Sequence, residues 1–256
     1  MTQINLHFKT VLFLICLWIY SPLPAKDAAL NHPEIKDMLR KMSSAVDPQG
    51  KLEKASSVTI QLESIIEGQK FNSQSSICFA GQDKYRADSK IGIIPIESRG
   101  LNGQGGWKKN AAGMVSRLSG DSAAPMRFLV NFMKPGARFE QLFEKIEWNR
   151  KKYRLNNVEC FMLVCYPPPE LKLPPYIIYV GLADWLIRRA EITAPEFGRN
   201  MKTVTDFHRY GACNGVNLPA EYTVYLPAAT FKIKTTNMTL NVSYPDNFFA
   251  APAAGF

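Results

Sequence analysis

Apolar and polar residues alternate along most of this 256-residue chain, with two interruptions at helical spacing. The first interruption is Ile35, Met38, Leu39 and Met42, an i, i+3, i+4, i+7 stripe. Asn31 is a plausible N-cap and Pro33 suits a first helical turn, so a helix is expected to open at His32 and fade near Ala45. The second is residues 123–134 (AAPMRFLVNFMK). Met126, Leu129, Val130 and Met133 form its apolar face, Phe128 and Phe132 stand beside it, and Pro135-Gly136 ends it. So apolar a helix is expected to be buried on more than one side or to face a cavity.

The rest reads as strands. Val58, Ile60 and Leu62 alternate with Thr59, Gln61 and Glu63, the period of a half-buried strand. Strands follow at 71–79 and 84–88, separated by short turns, which predicts an antiparallel meander. Further strands are expected at 144–153, 158–166, 176–180, 185–193, 202–210, 220–226 and 231–240. Residues 158–166 (VECFMLVCY) are apolar at both parities, which predicts cover on both faces. Gly100 to Gly106 hold four glycines before Trp107; without a Gly-Lys-Ser/Thr ending this is a hairpin turn and not a phosphate loop. The expected fold class is mainly β with α: about ten to eleven antiparallel strands curling into a barrel or sandwich, in one domain over residues 26–256.

Residues 1–25 read as a secretory signal peptide. Lys9 is the charge of the n-region, residues 11–20 (VLFLICLWIY) are the apolar run, and Ser21-Pro22-Leu23-Pro24-Ala25 breaks it before a small residue. An apolar run of about ten residues is too short to span a bilayer, which needs about 20. An uncleaved signal that anchors the chain to the membrane is the alternative. Cleavage takes one of the 31 basic residues, Lys9, and no acidic one, so the net charge falls from +9 to +8. This excess is compatible with anionic lipid head groups or acidic partners, although a solvated basic surface is its plainer explanation. Export argues against nucleic acid as partner.

Four cysteines remain after cleavage: Cys78, Cys160, Cys165 and Cys213. Cys160 and Cys165 have odd spacing on one strand, so they face opposite ways and are poor candidates for a mutual disulfide. Cross-strand pairs with Cys78 or Cys213, and free buried thiols, both stay open. Their spacing fits no zinc pattern, and no metal or other cofactor is expected. His32 and His208 stand in no catalytic motif, and no carboxylate pair stands out, so no catalytic residue is assigned.

Several segments, in order, resemble the bacterial LolA-like family of periplasmic lipoprotein carriers and outer-membrane lipoprotein-sorting proteins. Gly81-Gln82-Asp83-Lys84-Tyr85-Arg86 resembles the family's strand start ending in arginine. Gly100-Leu101-Asn102-Gly103-Gln104-Gly105-Gly106-Trp107 resembles its glycine turn before tryptophan. Thr205 to Tyr210 followed by Gly215-Val216-Asn217-Leu218-Pro219, and the close at Leu240-Asn241-Val242 and 246–252, resemble two more of its motifs. The resemblance implies an unclosed β barrel with helices as a lid, an apolar interior for acyl chains, and no catalytic step. It implies that Arg86 bonds to lid backbone and helps control opening. Asp83 departs from the residues common at that position of the family. Met126, Phe128, Leu129, Phe132 and Met133, with Trp107, become candidates to line the cavity or lid; ordinary core packing is their plainer explanation. The partners implied are acyl chains or a lipidated protein, with membrane donor and acceptor proteins, for a monomeric chain in the periplasm. A sigma-factor-regulator type of sensing module and a secreted enzyme of unknown class are the competing functions.

Overall fold

The computed structural model describes residues 33–253 apart from 70, 104, 121, 122, 197 and 198. The signal-peptide reading and the helix start at Asn31 and His32 lie outside the described residues. The two sequence-predicted helices are α1 (Pro33–Val46) and α3 (Ala124–Met133). Two four-residue helices join them, α2 (Lys51–Lys54) and α4 (Phe139–Leu142). The α1 stripe is buried at all four of its positions.

Thirteen strands, β1 (Ser57–Ile66), β2 (Asn72–Ala80), β3 (Lys84–Ile91), β4 (Ile94–Asn102), β5 (Gly105–Asn110), β6 (Val115–Leu118), β7 (Lys145–Leu155), β8 (Val158–Tyr166), β9 (Tyr176–Gly181), β10 (Ile187–Glu196), β11 (Arg199–Cys213), β12 (Val216–Leu226) and β13 (Ala229–Leu240), form one sheet. Its order is β6-β5-β4-β3-β2-β1-β13-β12-β11-β10-β9-β8-β7, and every pairing is antiparallel. Two meanders are therefore joined where β1 meets β13, with Val58 opposite Leu240. The sheet ends on β6 and β7 and is a curved, unclosed barrel. It has more strands than the pattern predicted because β4 and β6 lack its alternation. Pro95 interrupts the β4 run and is accommodated at a bulge opposite Lys90, and β6 is a four-residue edge.

One face of the sheet packs against the helices. α3 sits between two apolar clusters: Met126 and Val130 pack with Val58, Phe79, Tyr85, Leu101, Val216 and Met238. Phe128 packs with Phe143, Ile146, Leu163, Tyr176 and Ile178, together with the α1 stripe. The helix is thus buried on two sides. Gly106 makes room for it, since a Cβ there would come within 3.1 Å of the Met126 sulfur. In β8, Phe161, Leu163 and Cys165 face this core, while on the other side Cys160 is buried and Met162 and Val164 are half-buried.

Both ends of the helix layer are tied to turns at one end of the sheet. Lys134 donates to Gly81 O (2.8 Å) and Arg127 to Gly103 O (3.4 Å). Lys51 donates to Asn214 O and Asn217 to Ala45 O (2.8 and 2.7 Å). We term this the covered end. At the opposite, open end lie the turns at 67–69, 92–93, 111–114 and 227–228.

Candidate functional site

Two features follow from this layout, one on each face. On the inner face, cross-strand register aligns residues left half-exposed beyond the helices. Ser64, Ile233, Tyr222 and Phe207 form one row across β1, β13, β12 and β11. Ile66, Phe231, Val224 and Thr205 form the next row towards the open end. Directly opposite residues of an antiparallel pair share a face, so the apolar members make one continuous surface. All are intermediate in exposure, whereas Ala190, Ile178 and Leu163, which continue the second row across β10, β9 and β8, are buried under the helices. The Phe207 and Tyr222 rings lie 5.8 Å apart, and Phe207 packs on the core edge. The neighbouring inner face of β1–β3 is hydroxylated instead: Ser64 bonds Ser73 and Ser75 bonds Ser89 (2.5 and 2.8 Å).

On the outer face, three of the motif segments meet. Arg86 alternates with Tyr85 and Ala87, which belong to the core, so its guanidinium is on the side away from α3. It forms a two-bond pair with Asp88 (2.7 and 3.1 Å) and donates to Phe248 O (2.9 Å). The Trp107 indole N–H donates to Phe249 O (2.9 Å). The Arg86 guanidinium also lies 4.8 Å from the Phe248 ring and 5.7 Å from the Trp107 ring. Trp107 lies against Gly100, where any Cβ would come within 2.7 Å of the indole, so glycine is required there. Tyr244 stacks on Phe248 at 4.5 Å and bonds the Thr59 hydroxyl; burial, the leading cause, pushes its phenol up to about 12. Asn241 accepts from Ser56 N (2.9 Å), and Ser57 donates to Val242 O (2.7 Å). Together these bonds latch residues 241–253 along the outside of β1–β5.

The candidate residues therefore separate. Arg86 bonds to backbone, as the resemblance implies, but the backbone is that of the C-terminal segment and not of a helix. Trp107 belongs to the same latch. Met126 and Phe128 are core residues. Phe132 joins the aromatic cluster with Phe139, Phe143 and Tyr176, at 5.1 to 6.0 Å between centroids. Leu129 is half-buried and Met133 is exposed. The trough residues Phe207, Tyr222, Val224, Phe231 and Ile233 were legible only as strand alternation, and register is what turns them into a surface. The four cysteines are free thiols, and burial pushes Cys160 and Cys165 up, away from the reactive thiolate.

An open groove of about 920 Å³ runs beside the latch, lined by Gln61, Gln74, Arg86, Asp88, Lys90 and Glu97 among others. Its walls mix these polar and charged groups with Leu62, Ile94, Pro95 and Ala111, so it offers no continuous apolar surface of the kind formed by the inner rows. Among the described residues no group of His, Cys, Asp and Glu is placed to hold a metal ion.

No protein-family model and no curated protein sequence matches the chain. Solved structures do. A DUF1329 family protein from Desulfovibrio piger superposes with a TM-score of 0.58 at 13% identity, covering 86% of this chain and 98% of that one. A domain named for outer membrane lipoprotein sorting, from Vibrio parahaemolyticus, gives 0.55 at 11% identity (84% and 95% covered). A LolA superfamily protein from Nitrosomonas europaea gives 0.54 at 11% identity (84% and 96% covered). The chain has a LolA-like fold.

Proposed function

We propose that this chain is an exported, non-catalytic carrier that holds the acyl chains of a lipid or lipid-modified protein in the inner trough. The observation that carries the reading is the pair of half-exposed apolar rows, Ile233-Tyr222-Phe207 and Ile66-Phe231-Val224, at the uncovered end of a curved sheet. A soluble chain gains nothing by leaving such a surface open unless something apolar covers it. Burying about ten methylenes at about 0.8 kcal/mol each supplies about 8 kcal/mol, the micromolar range, which permits both capture and release. The likeness to a lipoprotein-sorting domain and a LolA superfamily protein supports the same reading through the fold, and the signal-like residues 1–25 support the periplasm as its place.

The test is extraction of the purified protein with organic solvent and identification of the bound lipid by mass spectrometry, with a fluorescent fatty acid titrated into the delipidated chain. Co-purifying lipid and saturable uptake are expected. Absence of both would overturn the carrier reading.

A further inference from the structure

Seven large hydrophobic residues are exposed among the described residues, and six of them cluster at the open end: Ile65, Phe71, Ile93, Ile94, Met114 and Tyr225. They come from four hairpins, β1–β2, β3–β4, β5–β6 and β12–β13, which are neighbours in the sheet. Register sets the tips nearly level: Ser73 pairs with Ile91, Ile91 with Ile94, and Ile66 with Phe231. The exposures are too large for residues that merely border a core: 95% for Ile93, 65% for Phe71, 66% for Ile94 and 67% for Met114. Elsewhere the described surface has one such residue, Met133.

Charge is layered behind this apolar fringe. Lys90 and Lys109 lie two residues from their turns, and Lys232 stands opposite Ile65. Of the three, Lys232 is paired with Glu67; the other carboxylates at this end stand by other lysines, Glu97 paired with Lys108 and Glu63 opposite Lys234, so the positive charge rests on Lys90 and Lys109. Separate apolar tips with lysines one step behind match the layering of a bilayer interface, acyl boundary first and head groups next. A protein partner would more readily use a continuous strip or groove, and these tips are separate turns. The net charge of +9 has the sign that anionic head groups attract.

We infer that the open end is a membrane-docking edge, whose four hairpin tips enter the interface of an anionic lipid bilayer. This goes beyond the carrier reading and does not require it, although the trough opens at the same end.

The experiment is flotation of the full chain with vesicles of phosphatidylethanolamine and phosphatidylglycerol, and with vesicles of phosphatidylcholine alone. The variants are Ile93→Ser and the triple Phe71→Ser/Ile93→Ser/Met114→Ser. The wild type is expected to float with the anionic vesicles and less with the neutral ones. The triple variant should partition about tenfold more weakly or worse, and Ile93→Ser should fall between. Fluorescent fatty-acid uptake should be unchanged in the variants, which separates failure of docking from failure of carriage. If the triple variant misfolds, the nearly fully exposed Ile93 decides alone. Equal flotation of wild type and variants, or no flotation of the wild type, overturns the inference. So does a wild-type self-association that the substitutions abolish without any vesicle binding, since the fringe is then a contact between copies.

Discussion

Two regions on one face of this sheet use the same kinds of residue to opposite effect. Under the helices, over β7–β10, Phe128, Phe139, Phe143 and Tyr176 interlock and are nearly inaccessible. At the open end, Phe207, Tyr222, Phe231 and Ile233 lie on the same face of the same sheet and stay half-exposed. The strands under the helices are the more apolar, β8 (VECFMLVCY) above all, and the helices, tethered at Gly81, Gly103 and Asn214, cover them and leave the apolar rows of β11–β13 open. An apolar surface on the inside of a curved sheet is thus a core where helices reach it and a candidate binding surface where they do not.

The largest effect should come from the helix-covered region. Phe128→Ala should cost about 3–5 kcal/mol of stability in urea unfolding, the range for a buried phenylalanine, whereas Phe231→Ala at the open end should cost about half of that or less. Equal losses would erase the distinction between the two regions. Next is the latch, which touches neither surface. Arg86→Leu removes a charge-assisted bond to Phe248 O and should cost about 2 kcal/mol, with earlier proteolytic release of residues 241–253. Gly100→Ala should cost about 1–3 kcal/mol, because the indole must move off the strand. If Arg86→Leu changed ligand uptake but left stability and proteolysis alone, Arg86 would have a role in gating and not in holding the tail.

Ile233→Asp should act in the reverse sense. Fluorescent fatty-acid affinity should fall about tenfold or more, equivalent to about 1.4 kcal/mol, while the melting temperature moves little because the site is already half-exposed. The smallest effect belongs to Tyr85, whose buried hydroxyl has no hydrogen-bond partner in the covered core. Tyr85→Phe should be neutral or stabilising, by about 1 kcal/mol at most, since it removes an unsatisfied polar atom.

Local periodicity made the helices and most strands legible. Ile35, Met38, Leu39 and Met42 can share one face only on a helix, and Val58, Ile60 and Leu62 only on a strand. Strand β4 was not legible, since Pro95 and the bulge at Ser89 and Lys90 break the alternation that would mark it. The pairing of β1 with β13 joins segments from opposite ends of the described chain, and no local pattern encodes it. The same limit governed the site. Arg86, Trp107 and the C-terminal aromatics were visible as separate motifs, but their meeting on the outer face is a product of that long-range pairing. The helix residues drew attention because their segment is so apolar; Met126 and Phe128 proved to be the stuff of the core, and the open apolar surface lies on strands that looked ordinary.

The most direct test of the account is photolabelling with a fatty acid carrying a diazirine near the end of its alkyl chain, followed by peptide mass spectrometry. The account predicts labels on β11, β12 and β13 around Phe207, Tyr222, Val224, Phe231 and Ile233, competed away by unlabelled fatty acid. Labels confined to the groove beside Arg86 and Asp88, or labelling that unlabelled fatty acid does not reduce, would contradict it.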